Sequence, residues 1–146
     1  MKEIATFLNA GKFAVAGVSR NPKKFGHVVF KTLLKKGMDV LPVNPNDLAF
    51  DGIKTYRTVS ELPDDVKGII IVTQPEQTLS VAREAIKKGI KNIWIQSGAE
   101  SRKILTELEK EDINLISREC ILMYCEPKGI HSFHRFLRKI SGHLPA

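Results

Sequence analysis

The chain has 146 residues, of which 42% are hydrophobic and 27% charged, and its formal net charge is +7 at pH 7. This length and composition predict a single globular domain, residues 1–146, whose core can form without disulfides or metal ions. No apolar run approaches the ~20 residues that cross a bilayer. The first residues, MKEIATFLNAGK, also lack the apolar core of a signal peptide. We therefore expect a cytoplasmic protein with no membrane contact.

The excess of lysine and arginine favours an anionic partner, either nucleic acid or a phosphorylated small molecule. Most lysines are spread along the predicted helices, which is the usual pattern of a solvated face. A nucleic-acid contact would fall to the basic C-terminal tail, but Phe133 and Phe136 belong to the apolar stripe of that tail and not to its basic face. Nucleic acid is therefore the less favoured partner.

Short apolar runs alternate with helical periods along the chain. The apolar runs predict five strands, at residues 13–18, 39–43, 68–72, 91–95 and 113–116. Apolar residues at helical spacing predict helices over residues 2–10, 24–36, 75–88 and 99–111, and three of these helices are closed by a glycine. Residues 44–56 show no regular period, and residues 58–61 predict a single helical turn that Pro63 ends.

This alternation predicts an α/β fold, a Rossmann-like three-layer domain with a five-stranded parallel sheet in the order 3-2-1-4-5. Its core would cover residues 12–126. In the tail, HSFHRFLRKISGHL, apolar residues recur at helical spacing opposite a basic face. We therefore predict a basic amphipathic helix over residues 131–143, packed on the domain or on a partner subunit.

Four polar loops follow the predicted strands, at residues 19–24, 44–47, 73–75 and 96–98. Ligands of open α/β sheets bind at the carboxyl ends of the strands, near the point where the strand order reverses. The first loop carries Arg20, Lys23 and Lys24 beside a helix N-terminus, and this combination suits a phosphate. The sequence therefore predicts a site for a ligand rich in phosphate.

An NAD(P) site is a weaker alternative. The fingerprint G-x-G-x-x-G is absent, because Ser19 stands where the second glycine belongs and the next glycine is Gly26. The second strand ends in PVN, where a dinucleotide site has an acidic residue for the ribose hydroxyls, although Asp47 follows closely. The P-loop pattern G-x-x-x-x-G-K-[ST] is also absent.

Five motifs follow in chain order: AVAGVSRNP, VLPVNPN, IIIVTQPEQT, IWIQSGAES and SRECI. Over residues 12–126 the chain thereby resembles the stand-alone CoA-binding proteins related to the N-terminal domain of the succinyl-CoA synthetase alpha subunit. The resemblance implies a protein that binds coenzyme A or an acyl-CoA as a carrier or sensor. An accessory subunit of an acyl-CoA ligase or transferase remains the alternative.

The resemblance also implies individual roles. The CoA pyrophosphate would be held by Ser19, Arg20, Asn21 and Pro22, with Gly17 allowing close approach and Lys24 as a phosphate partner. Asn44 and Pro45 would wall the adenosine, Thr73, Gln74 and Pro75 would come from the third strand's loop, and Gln96 and Ser97 would face the pantetheine arm. A lysine that the synthetases carry just beyond the second-strand turn has no counterpart here, where Asn46 and Asp47 stand.

No catalytic constellation stands out in the sequence. The histidines have no serine, cysteine or carboxylate partner at a diagnostic spacing; they are His27, His131, His134 and His143. Cys120 follows the last strand, where its thiol could approach the CoA sulfur, although packing is the commoner role of a buried cysteine. Cys120 and Cys125 match no zinc-site spacing. We expect a binding protein without a reaction of its own, as a homodimer or with a partner subunit.

Overall fold

A computed structural model describes residues 2–46, 49–50 and 52–124. Its helices are α1 Lys2–Leu8, α2 Phe25–Lys35, α3 Pro75–Lys88 and α4 Arg102–Leu108. Its strands are β1 Lys12–Ala16, β2 Asp39–Val43, β3 Ala49–Phe50, β4 Ile53–Lys54, β5 Gly68–Ile71, β6 Asn92–Gln96 and β7 Asn114–Glu119. Two 3₁₀ turns cover Val59–Glu61 and Ile121–Met123. The tail helix predicted over residues 131–143 lies outside the described residues, and no helix within them is long and apolar enough to cross a membrane.

The five long strands form one parallel sheet in the order β2-β1-β5-β6-β7. The predicted α/β fold with a five-stranded parallel sheet is therefore confirmed. The predicted strand order 3-2-1-4-5 is wrong, because the third long strand, β5, pairs with β1 and does not lie outside β2. Counted along the chain, the order is 2-1-3-4-5.

The two connections around β2 explain this order. Helix α2 covers one face of the sheet, whereas the connection from β2 to β5 crosses the other face, where Val59, Leu62 and Val66 join the core that α3 covers. Right-handed crossovers on opposite faces move in opposite directions along a sheet. The chain that runs out from β1 to β2 therefore returns past β1 to β5. Both strand orders share the same alternation of strands and helices, so the sequence pattern does not distinguish them.

Both faces of the sheet are buried, which explains why its strands are continuously apolar. Ala14, Ala16 and Ile69 are among the residues that face α3 and α4. Their neighbours Phe13 and Val15 face α1 and α2, together with Ile70 and Trp94. The Trp94 side chain is fully buried, and its ring lies 5.3 Å from that of Phe7. This packed sheet gives a fixed base to the loops at its carboxyl edge.

Two segments are more regular than their sequence indicates. Within residues 44–56, β3 and β4 pair as a short antiparallel hairpin, and the Phe50 ring packs 5.0 Å from that of Phe30. Tyr56 then bridges to Val43 at the end of β2. Strand β7 continues to Glu119, beyond the predicted residues 113–116. Strands of two residues are shorter than any window in which periodicity can be recognised.

Candidate functional site

A cleft of about 800 Å³ lies where β1, β2 and β5 end. At this point the connections from β1 and β5 leave to opposite faces of the sheet, which is where open α/β sheets bind their ligands. Small-molecule sites have volumes of roughly 300–1,000 Å³. Seven of the residues predicted from the sequence line this cleft, namely Gly17, Ser19, Lys24, Asn44, Pro45, Thr73 and Gln74.

Two glycines allow the backbone segments at the floor of the cleft to pack closely against each other. Gly17 has a φ of +100°, and a Cβ there would lie 2.8 Å from the carbonyl carbon of Val72. Gly26 is the second residue of α2, and a Cβ there would lie 2.0 Å from the carbonyl oxygen of Gly17. The start of α2 can therefore press directly against the end of β1. Gly26 lies outside the spacing of the dinucleotide fingerprint G-x-G-x-x-G. In the structure it nevertheless allows the same close approach of helix to strand as the last glycine of that fingerprint.

The loop between β1 and α2 is held in shape by its own side chains. The Ser19 hydroxyl accepts a hydrogen bond from the Asn21 backbone N–H at 3.0 Å, and the Asn21 side-chain oxygen accepts one from the Lys23 N–H at 3.0 Å. His27 Nδ1 lies 2.8 Å from the carbonyl oxygen of Ser19 and donates to it. These bonds fix the loop beside the cleft, although Arg20, Asn21 and Pro22 do not line the cleft itself.

Asn44 ties the second loop to the first. Its side-chain N–H donates to the Val18 carbonyl, and its side-chain oxygen accepts from the Asn46 N–H at 2.8 Å. Its backbone N–H donates to the Tyr56 carbonyl at 2.9 Å. Because both ends of the side-chain amide are engaged, Asn44 forms a rigid wall of the cleft.

The N-terminus of α2 suits an anion. Lys24 is the N-cap residue of α2, it makes no side-chain capping bond, and the first turn of the helix has no acidic residue. Backbone N–H groups and the positive end of the helix dipole therefore meet a positive side chain at the cleft. Helix α3 also starts at the cleft without a side-chain cap, but it has Glu76 in its first turn. Of these two helix ends, α2 is the better anion site.

The cleft also includes residues that the sequence did not reveal as part of a site. They are Phe25, Gly26, Arg57, Thr58, Glu76, Gln77, Ser80 and Glu84. Arg57 reaches the cleft because its neighbour Tyr56 pairs with the end of β2. The residues from α3 are polar side chains that are exposed or half-buried. A polar helix face alone does not indicate a site. A correct strand order would have pointed to this helix, because α3 follows β5, the neighbour of β1.

The loop after β6 lies apart from this cleft. Gln96 is only 1% exposed, and its side-chain oxygen accepts a hydrogen bond from the Ile121 N–H at 3.0 Å. Ser97 is exposed, and neither residue lines the cleft; the same is true of Pro75. Gln96 thus supports the turn after β7, and the contacts of Gln96 and Ser97 with a pantetheine arm stay a prediction.

The end of β7 is anchored by two partly buried hydrogen bonds. Trp94 donates from its indole N–H to the Glu119 carbonyl at 3.0 Å, and the Tyr124 hydroxyl donates to the Glu119 carboxylate at 2.9 Å. Burial, reinforced by this carboxylate, raises the pKa of Tyr124 to about 12. Cys120 is half-buried in the same segment. Within the described residues, no group of histidine, cysteine and acidic side chains could hold a metal ion.

A parallel sheet with a cleft at its switch point defines a ligand-binding α/β domain, and the comparisons with known proteins give its family. Residues 11–126 match the family model described as a CoA binding domain. The chain therefore belongs to the CoA-binding domain family, as its five motifs predict.

Relatives fall into two groups by size. The chain is 32% identical over 126 residues to the alpha subunit of the ADP-forming acetate–CoA ligase II of Pyrococcus furiosus, covering 79% of this chain but only 28% of that subunit. It is 27% identical over 120 residues to the uncharacterized protein YneT of Bacillus subtilis, covering 82% of this chain and 89% of that protein. A solved structure of a conserved hypothetical protein from Pyrococcus furiosus superposes with a TM-score of 0.73 at 47% identity, covering 76% of this chain and 96% of the other.

Proposed function

We propose that this protein binds coenzyme A or an acyl-CoA in the cleft at the ends of β1, β2 and β5, as a carrier or sensor without a reaction of its own. The observation that carries the proposal is the contact of Gly26 with Gly17, which brings the uncapped N-terminus of α2 to the cleft. Membership of the CoA-binding domain family supports coenzyme A as the ligand.

The residues around α2 fit the pyrophosphate of CoA. A Cβ at Gly17 or Gly26 would collide with neighbouring backbone, so both glycines are needed for the close packing that places the start of α2 at the cleft. The N–H groups at the start of α2 can donate to phosphate oxygens, and Lys24 adds a positive charge. Ser19 lines the cleft next to them, and its hydroxyl already shapes the loop. Arg20, Asn21 and Pro22 would act from the outer side of this loop.

The second and third loops fit the remainder of the nucleotide. Asn44 and Pro45 offer a rigid surface for the adenosine, because Asn44 is bonded to both neighbouring segments. Thr73 is held by a hydroxyl–hydroxyl bond of 2.8 Å to Thr78, and Thr78 in turn donates to the Ala99 carbonyl at 2.7 Å. Bound CoA would supply a thiol that carries acyl groups, and the protein's part is to bind and orient the molecule.

The proposal predicts that protein purified under native conditions contains CoA or an acyl-CoA. Native mass spectrometry would detect the added mass.

The Lys24→Ala variant should bind CoA about three- to tenfold more weakly than the wild type, because one exposed charge next to a phosphate is lost. Lys35→Ala is the matched control, since it removes the same charge from the opposite end of α2. Equal affinities of both variants and the wild type would remove Lys24 from the site.

A second function is favoured by the similarity to the acetate–CoA ligase alpha subunit, of which this chain covers 28%. In this alternative, the chain is an accessory subunit that completes an acyl-CoA ligase or transferase together with a partner chain. Affinity purification from the native cell would then recover a larger subunit with a nucleotide-binding domain in constant ratio.

The described part of the second loop gives no support to an NAD(P) site. Asn44 and Pro45 stand where a carboxylate would form a hydrogen bond with the ribose.

A further inference from the structure

Positive charge lines the cleft at two separate places. Among the described residues, Lys24 and Arg57 are the two cationic side chains in its wall. Lys24 starts α2 on one face of the sheet, whereas Arg57 comes just before the 3₁₀ turn Val59–Glu61, which packs on the other face. A ligand that carried phosphate only at the N-terminus of α2 would use one of these two charges.

The backbone around Arg57 is fixed on both sides. Tyr56 donates its N–H to the Pro42 carbonyl at 2.9 Å and accepts from the Asn44 N–H at 2.9 Å, so the segment is joined to the end of β2. The Arg57 N–H donates to the Glu61 carboxylate at 3.3 Å. These bonds fix the backbone of Arg57 beside the cleft, and the Arg57 side chain takes no part in them.

The guanidinium of Arg57 is exposed and forms no salt bridge within the described part of the chain. The carboxylates of Glu76 and Glu84 also line the cleft, but one Glu84 oxygen accepts the Ser60 N–H at 3.0 Å. Arginine presents a planar fork of donors that matches the oxygens of a phosphate. The side chain is therefore available to an anionic group of the ligand.

CoA carries phosphate at two places: the pyrophosphate, and a single phosphate on the ribose. If the pyrophosphate lies at α2, the ribose lies towards Asn44 and Pro45, and the Asn44 backbone is bonded directly to the segment that carries Arg57. We propose that Arg57 binds the ribose phosphate and makes the cleft selective for CoA over dephospho-CoA. This inference rests on the proposed function and adds a specificity residue to it.

The test is a pair of calorimetric titrations, with CoA and with dephospho-CoA, of the wild type, Arg57→Gln and Arg57→Lys. The wild type should bind CoA about 10- to 100-fold more tightly than dephospho-CoA, because a charge-assisted contact contributes a difference of this size. Arg57→Gln should reduce this ratio to about 1–3, while its affinity for dephospho-CoA stays that of the wild type. Arg57→Lys should restore part of the ratio. Arg83→Gln, which changes an exposed arginine paired with Glu107, should keep the whole ratio.

An unchanged ratio in Arg57→Gln would overturn the assignment of Arg57 alone. If both affinities fell equally, Arg57 would have a structural role, and if neither fell, Arg57 would not contact the ligand. A wild-type protein that binds neither ligand would contradict the proposed function, and with it this inference. Equal thermal unfolding temperatures of the wild type and Arg57→Gln would show that the variant is folded.

Discussion

At the scale of single residues, Asn44 illustrates how the cleft depends on side-chain amides. Its N–H group holds the Val18 carbonyl of the first loop, and its oxygen holds the Asn46 N–H of its own loop. An aspartate at this position would keep the acceptor and lose the donor. The two loops would then meet through a carboxylate facing a carbonyl oxygen, which is repulsive.

Asn44→Asp should therefore lower the free energy of unfolding by about 1–3 kcal/mol, since a half-buried carbonyl loses its donor. Urea denaturation measures this difference. Asn21→Asp is the matched control, because Asn21 uses its side-chain oxygen as an acceptor from the Lys23 N–H and an aspartate retains that oxygen. Similar losses in the two variants would show that the Asn44 donor contributes nothing to stability.

Tyr124 predicts a dependence of stability on pH in the alkaline range. Burial raises its pKa to about 12, whereas an unfolded tyrosine has a pKa of about 10. Between these values the unfolded chain has already lost the proton that the folded chain keeps, so the stability that Tyr124 contributes falls as the pH rises. Below the lower value this contribution is complete.

The measurement is the difference in unfolding free energy between the wild type and Tyr124→Phe, taken at two pH values. The difference should favour the wild type at about pH 9 and should shrink by about 1 kcal/mol at about pH 11. Lysine titration affects both proteins and cancels in the comparison. A difference that stays constant over this range would contradict the raised pKa.

At the scale of elements, the contact between α2 and β1 determines whether the cleft exists. Gly26→Ala would place a methyl group 2.0 Å from the Gly17 carbonyl oxygen, and backbone cannot give way as a side chain can. The helix must then move outward from the strand, which costs stability and removes its N-terminus from the site.

We expect Gly26→Ala to lose about 1–3 kcal/mol of unfolding free energy and to bind CoA at least tenfold more weakly. Gly37→Ala is the control, because a Cβ there meets nothing within 4 Å and the cost arises only from its φ of +81°. This control should lose about 1–2 kcal/mol and keep its affinity. Weak binding in both variants would mean that lower stability, and not the contact of α2 with β1, reduces the affinity.

The elements themselves were largely predictable from the sequence. The five strands and four helices lie where apolar runs and helical spacing predict them, because a sheet covered on both faces requires continuous apolar strands. The hairpin of β3 and β4 was missed because each strand has two residues. The strand order was missed because it depends on which face the connection from β2 to β5 crosses, and that is a tertiary property of Val59, Leu62 and Val66.

The candidate site was predictable to the extent that it lies in the loops after the strands. Ser19 and Asn44 lie in the loops after β1 and β2, and Lys24 is the N-cap residue of α2. Their place at the cleft therefore follows from the fold. Arg57 could not be found in this way, because the bridge between Tyr56 and Val43 brings it there. Gln96 is the last residue of β6, and its side chain is buried against the turn after β7. Its contact with the ligand stays a prediction.

At the scale of the whole molecule, the strand order places the cleft between the connections that leave to α2 and α3. A ligand bound there contacts segments from both faces of the sheet, and it should therefore stabilise the domain as a unit. CoA at a concentration of about 100 times its dissociation constant should add about 2.7 kcal/mol to the free energy of unfolding. Thermal unfolding in increasing CoA would show this as a rising transition temperature, and NAD at equal concentration should leave the transition unchanged.

The central claim is that the cleft at the ends of β1, β2 and β5 binds CoA. Calorimetric titration of CoA into the wild-type protein, freed of any co-purified ligand, tests it most directly. We expect a saturable heat with one CoA bound per chain, and a weaker heat with Lys24→Ala. The absence of any heat at millimolar CoA would contradict the claim.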